Sequence, residues 1–97
     1  MSAPVRRLVL DVLKPLKGPT VVDVARELAS LPGVDGVNIT VKEVDVETLT
    51  VSITIEGENI DFDQVKDKLD LLGCVIHSVD QVVAGRKIVD EPQGLED

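Results

Sequence analysis

Two stretches within residues 37–56 alternate apolar and polar side chains with a period of two. The apolar positions of this pattern are Val37, Ile39, Val41, Leu49, Val51, Ile53 and Ile55. Only a β-strand places every second side chain on one face. Because the turn at residues 45–48 is short, the two strands are predicted to pair antiparallel as a hairpin. Such a hairpin has one apolar face that the rest of the chain has to cover.

The layout of the first half of the chain is repeated in the second half. The first half contains Leu8, Leu10, Val12, Thr20, Val24, Leu28 and Leu31, and the second half matches them with Leu49, Val51, Ile53, Asp61, Val65, Leu69 and Leu72. Each set is a strand pattern, a helix-capping residue and an apolar stripe at helical spacing. Two strand–helix–strand halves predict an α+β fold of the order βαββαβ, the ferredoxin-like split βαβ motif. Right-handed crossovers then predict an antiparallel sheet of order 4-1-3-2 with both helices on one face.

Composition limits the class of protein. The 97 residues predict one domain, with a core at about residues 5–89 and a flexible acidic tail at residues 90–97. A net charge of −8 and a single aromatic residue disfavour nucleic-acid binding, which needs positive charge and stacking rings. One cysteine excludes an internal disulfide and favours a reducing cytoplasm. No apolar run approaches the roughly 20 residues of a membrane helix, so no membrane partner is expected.

Several stretches resemble a known protein family. They are RRLVLDVLKP (6–15), LPGVDGVNI (31–39), DVETLTVSITIEG (45–57), IDFDQVK (60–66) and GCVIHSVDQVVAG (73–85). The chain resembles the small archaeal proteins of the domain of unknown function 211 family from about residue 6 to residue 89. The resemblance implies a ferredoxin-like fold, an archaeal source and assembly into homo-oligomeric rings. It implies no established activity and no catalytic residues.

Two acidic groups are candidate sites for a divalent cation such as calcium or magnesium. The first, the acidic corner, consists of Glu58, Asn59, Asp61 and Asp63, and the second is a turn with Asp45 and Glu47. Oxygen ligands spaced two residues apart are typical of calcium loops, although the glycine and closing glutamate of an EF-hand are missing. The competing interpretation is that Asp61 caps the second helix and that the turn is simply solvated. This competing interpretation is favoured for both groups.

Other candidates lie on the sheet. Asp11 and Asn38 are predicted on the face away from the helices, which is a polar surface, a ligand platform or a packing surface. His77 is the only histidine, and a bulge would be needed to bring it beside Cys74 as a nucleophile–base or metal-binding pair. His77 with Asp11 or Asp80 is the alternative basis for a small hydrolase or phosphotransfer enzyme. Cys74 is otherwise a small buried apolar residue.

A basic group is predicted at one end of the sheet. Arg6 and Arg7 on the first strand lie near Arg86 and Lys87 at the end of the antiparallel fourth strand. These cations can hold a phosphate or carboxylate, or they can pair with the acidic corner of a neighbouring subunit. The second interpretation is favoured, and it predicts assembly that depends on salt.

These observations favour a homo-oligomeric binding or scaffold protein over an enzyme. A divalent cation or small ligand would bind between its subunits. The small enzyme built on His77 and a protein–protein adaptor are the alternatives. The sequence does not identify the ligand, the pathway or the size of a ring.

Overall fold

The computed structural model describes residues 2–92 of the chain. Its elements are β1 (Val5–Pro15), α1 (Val21–Ala29), β2 (Val34–Val44), β3 (Thr48–Gly57), α2 (Phe62–Leu71) and β4 (Val75–Ala84). The four strands form one antiparallel sheet in the order β2-β3-β1-β4. Read from the other edge, this is the order 4-1-3-2, so the predicted βαββαβ fold is confirmed.

The core lies between one face of the sheet and the two helices. Its sheet side consists of Leu8, Leu10, Val12, Val51, Ile53 and Ile55, and its helix side of Val24, Leu28, Val65 and Leu69. Each of these side chains is no more than 2% exposed. The alternating strand residues therefore face the helical stripes, and both helices lie on the same side. The other side of the sheet, called here the open face, receives no helix.

Both helices begin where the sequence places their caps. The Thr20 hydroxyl accepts a hydrogen bond from the Asp23 backbone N–H at 3.2 Å, and the Asp23 carboxylate accepts one from the Thr20 N–H at 3.0 Å. This is a reciprocal capping box. Asp61 caps α2 by accepting hydrogen bonds from the N–H groups of Asp63 and Gln64. Each cap satisfies donors that the first helical turn leaves unpaired.

Strand β4 does not alternate strictly, and this determines which of its residues reach the open face. Its pairing with β1 shifts three times: two shifts leave His77 and Asp80 of β4 without partners, and the third leaves out Arg6 of β1. Such bulges advance a strand by one residue and so change which face the following side chains take. Consequently Ile76, Val79 and Val82 pair with core-facing residues of β1, whereas Val75, Ser78, Gln81 and Val83 pair with open-face residues. A simple period of two would have mixed these two sets.

The residues after β4 turn back over the open face. Gly85 has a φ of +115°, a conformation that favours glycine, and its N–H donates to the Pro4 carbonyl at 2.8 Å. Residues 85–92 are called here the C-terminal strap. The predicted tail at residues 90–97 falls partly within the strap, and residues 93–97 lie outside the described part of the chain.

Candidate functional surface: the open face of the sheet

The open face carries mostly small polar side chains on its β2–β3 half. Thr50, Ser52 and Thr54 of β3 are half-buried and alternate with core residues. Asn38 and Thr40 of β2 pair with Thr54 and Ser52, so they lie on the same face. The Thr40 hydroxyl donates to Asn38 Oδ1 at 3.1 Å. The prediction that Asn38 lies on the open face is therefore confirmed. Its side-chain oxygen already accepts a hydrogen bond from Thr40 of the same strand.

The β1–β4 half of the open face is more apolar. Going along β1, Arg7, Val9, Asp11 and Leu13 pair with Val83, Gln81, Ser78 and Val75 of β4. At one end, Leu13 and Val75 are cross-strand neighbours that are 37% and 60% exposed. At the other end, Val83 is only 6% exposed although it lies outside the core cluster. The two ends of this strand pair therefore differ: the apolar residue at one end is buried, and those at the other end are exposed.

Arg7 occupies the covered end of this row. Its Nε donates to Glu56 Oε2 at 2.7 Å, and its Nη1 donates to Asp90 Oδ1 at 3.0 Å and to Gln81 Oε1 at 3.4 Å. The hydrogen bonds to Asp90 and then to Glu56 raise the pKa of the guanidinium above its ordinary value. Arg7 therefore joins β3, β4 and the C-terminal strap through charge-assisted contacts.

Arg6 holds the beginning of the strap. Its Nη1 donates to the carbonyls of Gly85 and Arg86 at 3.4 Å and 2.9 Å, and its Nε donates to the Gly57 carbonyl at 3.0 Å. The side chains of Arg86 and Lys87 form no hydrogen bond or ion pair with other residues in the 2–92 range. The predicted basic group is thus divided. Its two β1 members bind the chain's own carbonyls and carboxylates, while pairing with a neighbouring subunit stays a prediction.

Asp11 and His77 lie close in the register but in different surroundings. Asp11 is half-buried at the centre of the open face and pairs with Ser78. His77 is exposed at the first β4 bulge. The Asp80 carboxylate accepts a hydrogen bond from the Ser78 hydroxyl at 2.7 Å. Between residues 2 and 92, His77 forms no hydrogen bond with either carboxylate, so a preassembled acid–base pair is not observed.

Cys74 belongs to the core rather than to a site on the open face. It is 2% exposed and packs in the core cluster, as expected for a small apolar residue. Burial raises the pKa of its thiol, which disfavours the reactive thiolate. The bulge at His77 lies on the exposed edge strand, so the two residues occupy different environments.

The acidic candidates act in local backbone structure. Asp61 Oδ1 is occupied by the two N–H groups of the α2 cap, and Asp45 Oδ1 accepts from the Val46 N–H at 2.8 Å. The Asn59 N–H donates to the Gly33 carbonyl, and the Glu47 carbonyl accepts from Leu16. Glu58 and Asp63 are exposed. Within the described chain, no group of three His, Cys, Asp or Glu residues is arranged to hold a metal ion. A site within one copy therefore stays a prediction.

One functional group was not singled out in the sequence. Lys14 continues the core-facing parity of β1 and is only 3% exposed. Its Nζ donates to the Pro15 carbonyl at 2.6 Å. The signal was present, because Lys14 follows Leu8, Leu10 and Val12 at a spacing of two. Lysine is almost never fully buried, so the parity alone did not single it out.

The strand order and the one-sided helical cover define a small α+β protein of the ferredoxin-like class. The chain belongs to the domain of unknown function 211 family, described as "Uncharacterized ArCR", whose family model matches residues 6–97. It is 52% identical over 93 residues to an uncharacterised protein of the archaeon Methanocaldococcus jannaschii, covering 96% of this chain and 95% of that protein. Among the described residues, no helix is long and apolar enough to cross a membrane.

Proposed function

We propose that this protein is a homo-oligomeric binding or scaffold protein whose copies pack through the open face of the sheet. The observation that carries this proposal is the exposed cross-strand pair of Leu13 and Val75 on a face without helical cover. Exposed apolar patches on small proteins commonly mark interaction sites. At the other end of the same strand pair, Val83 is 6% exposed, so Leu13 and Val75 are the exposed apolar end of this half of the open face.

The two edge strands of the sheet are less suited to self-association than its open face. The edge strand β4 has bulges at His77 and Asp80, and the edge strand β2 has register shifts that leave Asp35 and Lys42 unpaired. Bulges and charged residues on edges oppose edge-to-edge pairing. The favoured geometry is therefore sheet packing, in which side chains of two open faces interdigitate.

A divalent cation between copies is the second part of the proposal. The exposed carboxylates of Asp63 and Glu58 are not used by the described side-chain contacts, so ligands from two copies would have to complete a site. Isothermal titration with calcium and magnesium tests this part. Asp61→Asn with Asp63→Asn is a suitable variant because asparagine also caps helices well. Binding heats that this double variant leaves unchanged would remove the acidic corner as the site.

Self-association is tested by two matched substitutions on the same strand. Val75→Thr changes the open face, and Val82→Thr changes a residue of similar exposure, 55% against 60%, that pairs on the helix side. Replacing a buried methyl by a hydroxyl costs about 1 kcal/mol, and an interface between two open faces contains Val75 twice, so the expected loss is about 2 kcal/mol, or about thirtyfold in affinity. Sedimentation velocity of both variants over a concentration series should show weaker association for Val75→Thr alone. A wild-type chain that remains monomeric at high concentration contradicts the proposal.

A further inference from the structure

The C-terminal strap lies on the same face that we assign to self-association, and it is attached at two points. Near its start, Arg6 binds the carbonyls of Gly85 and Arg86. Further along, the only described ion pair or side-chain hydrogen bond is the one between Arg7 and Asp90 at 3.0 Å. The beginning of the strap is therefore held through its backbone carbonyls, and its end, called here the tip, through one polar side-chain contact.

The attachment of the tip is accessible to solvent. The Asp90 side chain is 78% exposed, whereas the Arg7 side chain is 19% exposed. Exposed ion pairs contribute little to stability and are screened by salt. Arg7 keeps a second carboxylate partner, Glu56 at 2.7 Å, when Asp90 leaves. The tip can consequently detach without leaving a buried charge unpaired.

The end of the strap lies beside an apolar residue of the open face. Val83 is on that face because it pairs with Arg7, yet it is 6% exposed and outside the core cluster. Val89 and Asp90 line the same surface cavity as Val83, so the strap and Arg7 both lie next to it. Movement of the strap away from Arg7 would make Val83 more accessible on the face that also carries Val9, Leu13 and Val75.

The strap and a second sheet cannot occupy this end of the face together. Two sheets that pack face to face are about 10 Å apart, and that space is filled by their own side chains. A backbone segment between them holds the sheets further apart. We propose that the C-terminal strap is a displaceable cover of the open face, and that its release from Arg7 strengthens the association between copies. This inference rests on the proposed function.

Charge removal at the strap tip tests the inference in the full-length chain. Asp90→Asn removes the contact to Arg7. Glu91→Gln is the matched control, because it makes the same charge change on a neighbouring exposed residue that forms no side-chain hydrogen bond with residues 2–92. If association requires an undocked strap, the affinity increases with the undocked fraction. Asp90→Asn should then raise the association constant by about threefold for each strap that has to undock, from the small contribution of an exposed pair, and Glu91→Gln should not.

A second readout follows the strap itself. Trypsin cleavage after Lys87, measured by mass spectrometry under native conditions, should be faster in Asp90→Asn than in Glu91→Gln. Faster cleavage together with stronger association supports the inference. Association that is unchanged or weaker in Asp90→Asn overturns it, while the proposed function stands as long as the wild type associates and Val75→Thr weakens that association. Monomeric behaviour of both the wild type and Asp90→Asn overturns the inference and the proposed function together.

Discussion

Substitution of four glycines by alanine distinguishes two costs, a strained backbone conformation and a steric clash of the added Cβ. The four variants together test how closely the chain segments of this fold approach each other. Gly57 has no positive φ, but a Cβ there would overlap the Gly33 carbonyl oxygen and lie 2.9 Å from its carbon. Gly33 has a φ of +83°, and a Cβ there would overlap the Asn59 carbonyl. Gly73 has a φ of +81° with no atom within 4 Å, and Gly36 has neither constraint. Alanine therefore introduces a clash at Gly57, an unfavourable backbone conformation at Gly73, both at Gly33, and neither at Gly36.

The expected losses of unfolding free energy follow from these constraints. Gly73→Ala should cost about 1 kcal/mol from the left-handed conformation. Gly57→Ala should cost about 3 kcal/mol, at the upper end for overpacking, because backbone atoms cannot rotate away. Gly33→Ala combines both effects and should cost about 4 kcal/mol. Gly36→Ala should be neutral or stabilise by up to about 1 kcal/mol through the unfolded chain. A small domain has only about 5–15 kcal/mol in total.

Urea unfolding followed by circular dichroism measures all four variants. The protein concentration has to be constant, since self-association would add to apparent stability. The double variant Gly33→Ala/Gly57→Ala should cost less than the sum of the single variants, because both disturb the contact between the same two chain segments. The reasoning is refuted if Gly57→Ala is no less stable than Gly36→Ala, because the close approach of β3 to the start of β2 would then not exist.

Two further predictions concern groups whose environment is unusual. Hydrogen bonds from the Thr20 backbone and hydroxyl lower the pKa of Asp23 below 3.8, so its contribution to stability is present above that pH and is lost as the pH falls through the folded-state pKa. Urea midpoints measured from pH 7 downward should therefore fall less steeply for Asp23→Asn than for the wild type, and equal slopes would contradict the capping box as the cause. Lys14→Met should leave stability unchanged or raise it by about 1 kcal/mol, because it replaces a buried ammonium with one described acceptor by an apolar side chain of similar length. A thermal or urea midpoint lower than that of the wild type would show that the Lys14 contact to Pro15 outweighs desolvation.

The fold was predictable from the sequence because its main signals are local and repeated. The alternation around Val51 and Ile53 determines the strand faces, and the caps at Thr20 and Asp61 mark where the helices begin. These signals occur twice, so each half supports the other. The phase of β4 could not be predicted in the same way, because bulges depend on how an edge strand follows the twist of its neighbour.

The candidate sites were less predictable because charge patterns do not reveal which partners are within reach. The sequence grouped Arg7 with Arg86 as one basic cluster, whereas the structure pairs Arg7 with Glu56 and Asp90. Asp90 was predicted at the start of a flexible acidic tail, and its contact with Arg7 was not predicted, because it depends on the left-handed turn at Gly85. In the acidic corner the sequence favoured a helix cap at Asp61 over a metal ligand, and Asp61 does cap α2, because a cap is a local signal.

The unpaired residues of the sheet edges connect the fold to the proposed assembly. Each register shift of the two edge strands leaves out a polar or charged residue: Asp35, Lys42, His77 or Asp80. These residues interrupt the ladders that a second copy would need for edge-to-edge pairing. The exposed apolar pair of Leu13 and Val75 instead lies on the open face of the sheet, whose central strands β1 and β3 pair without a register shift. A chain that interrupts both edge ladders and exposes Leu13 and Val75 on the open face favours face-to-face packing, and in this chain the strap is the segment that competes for that face.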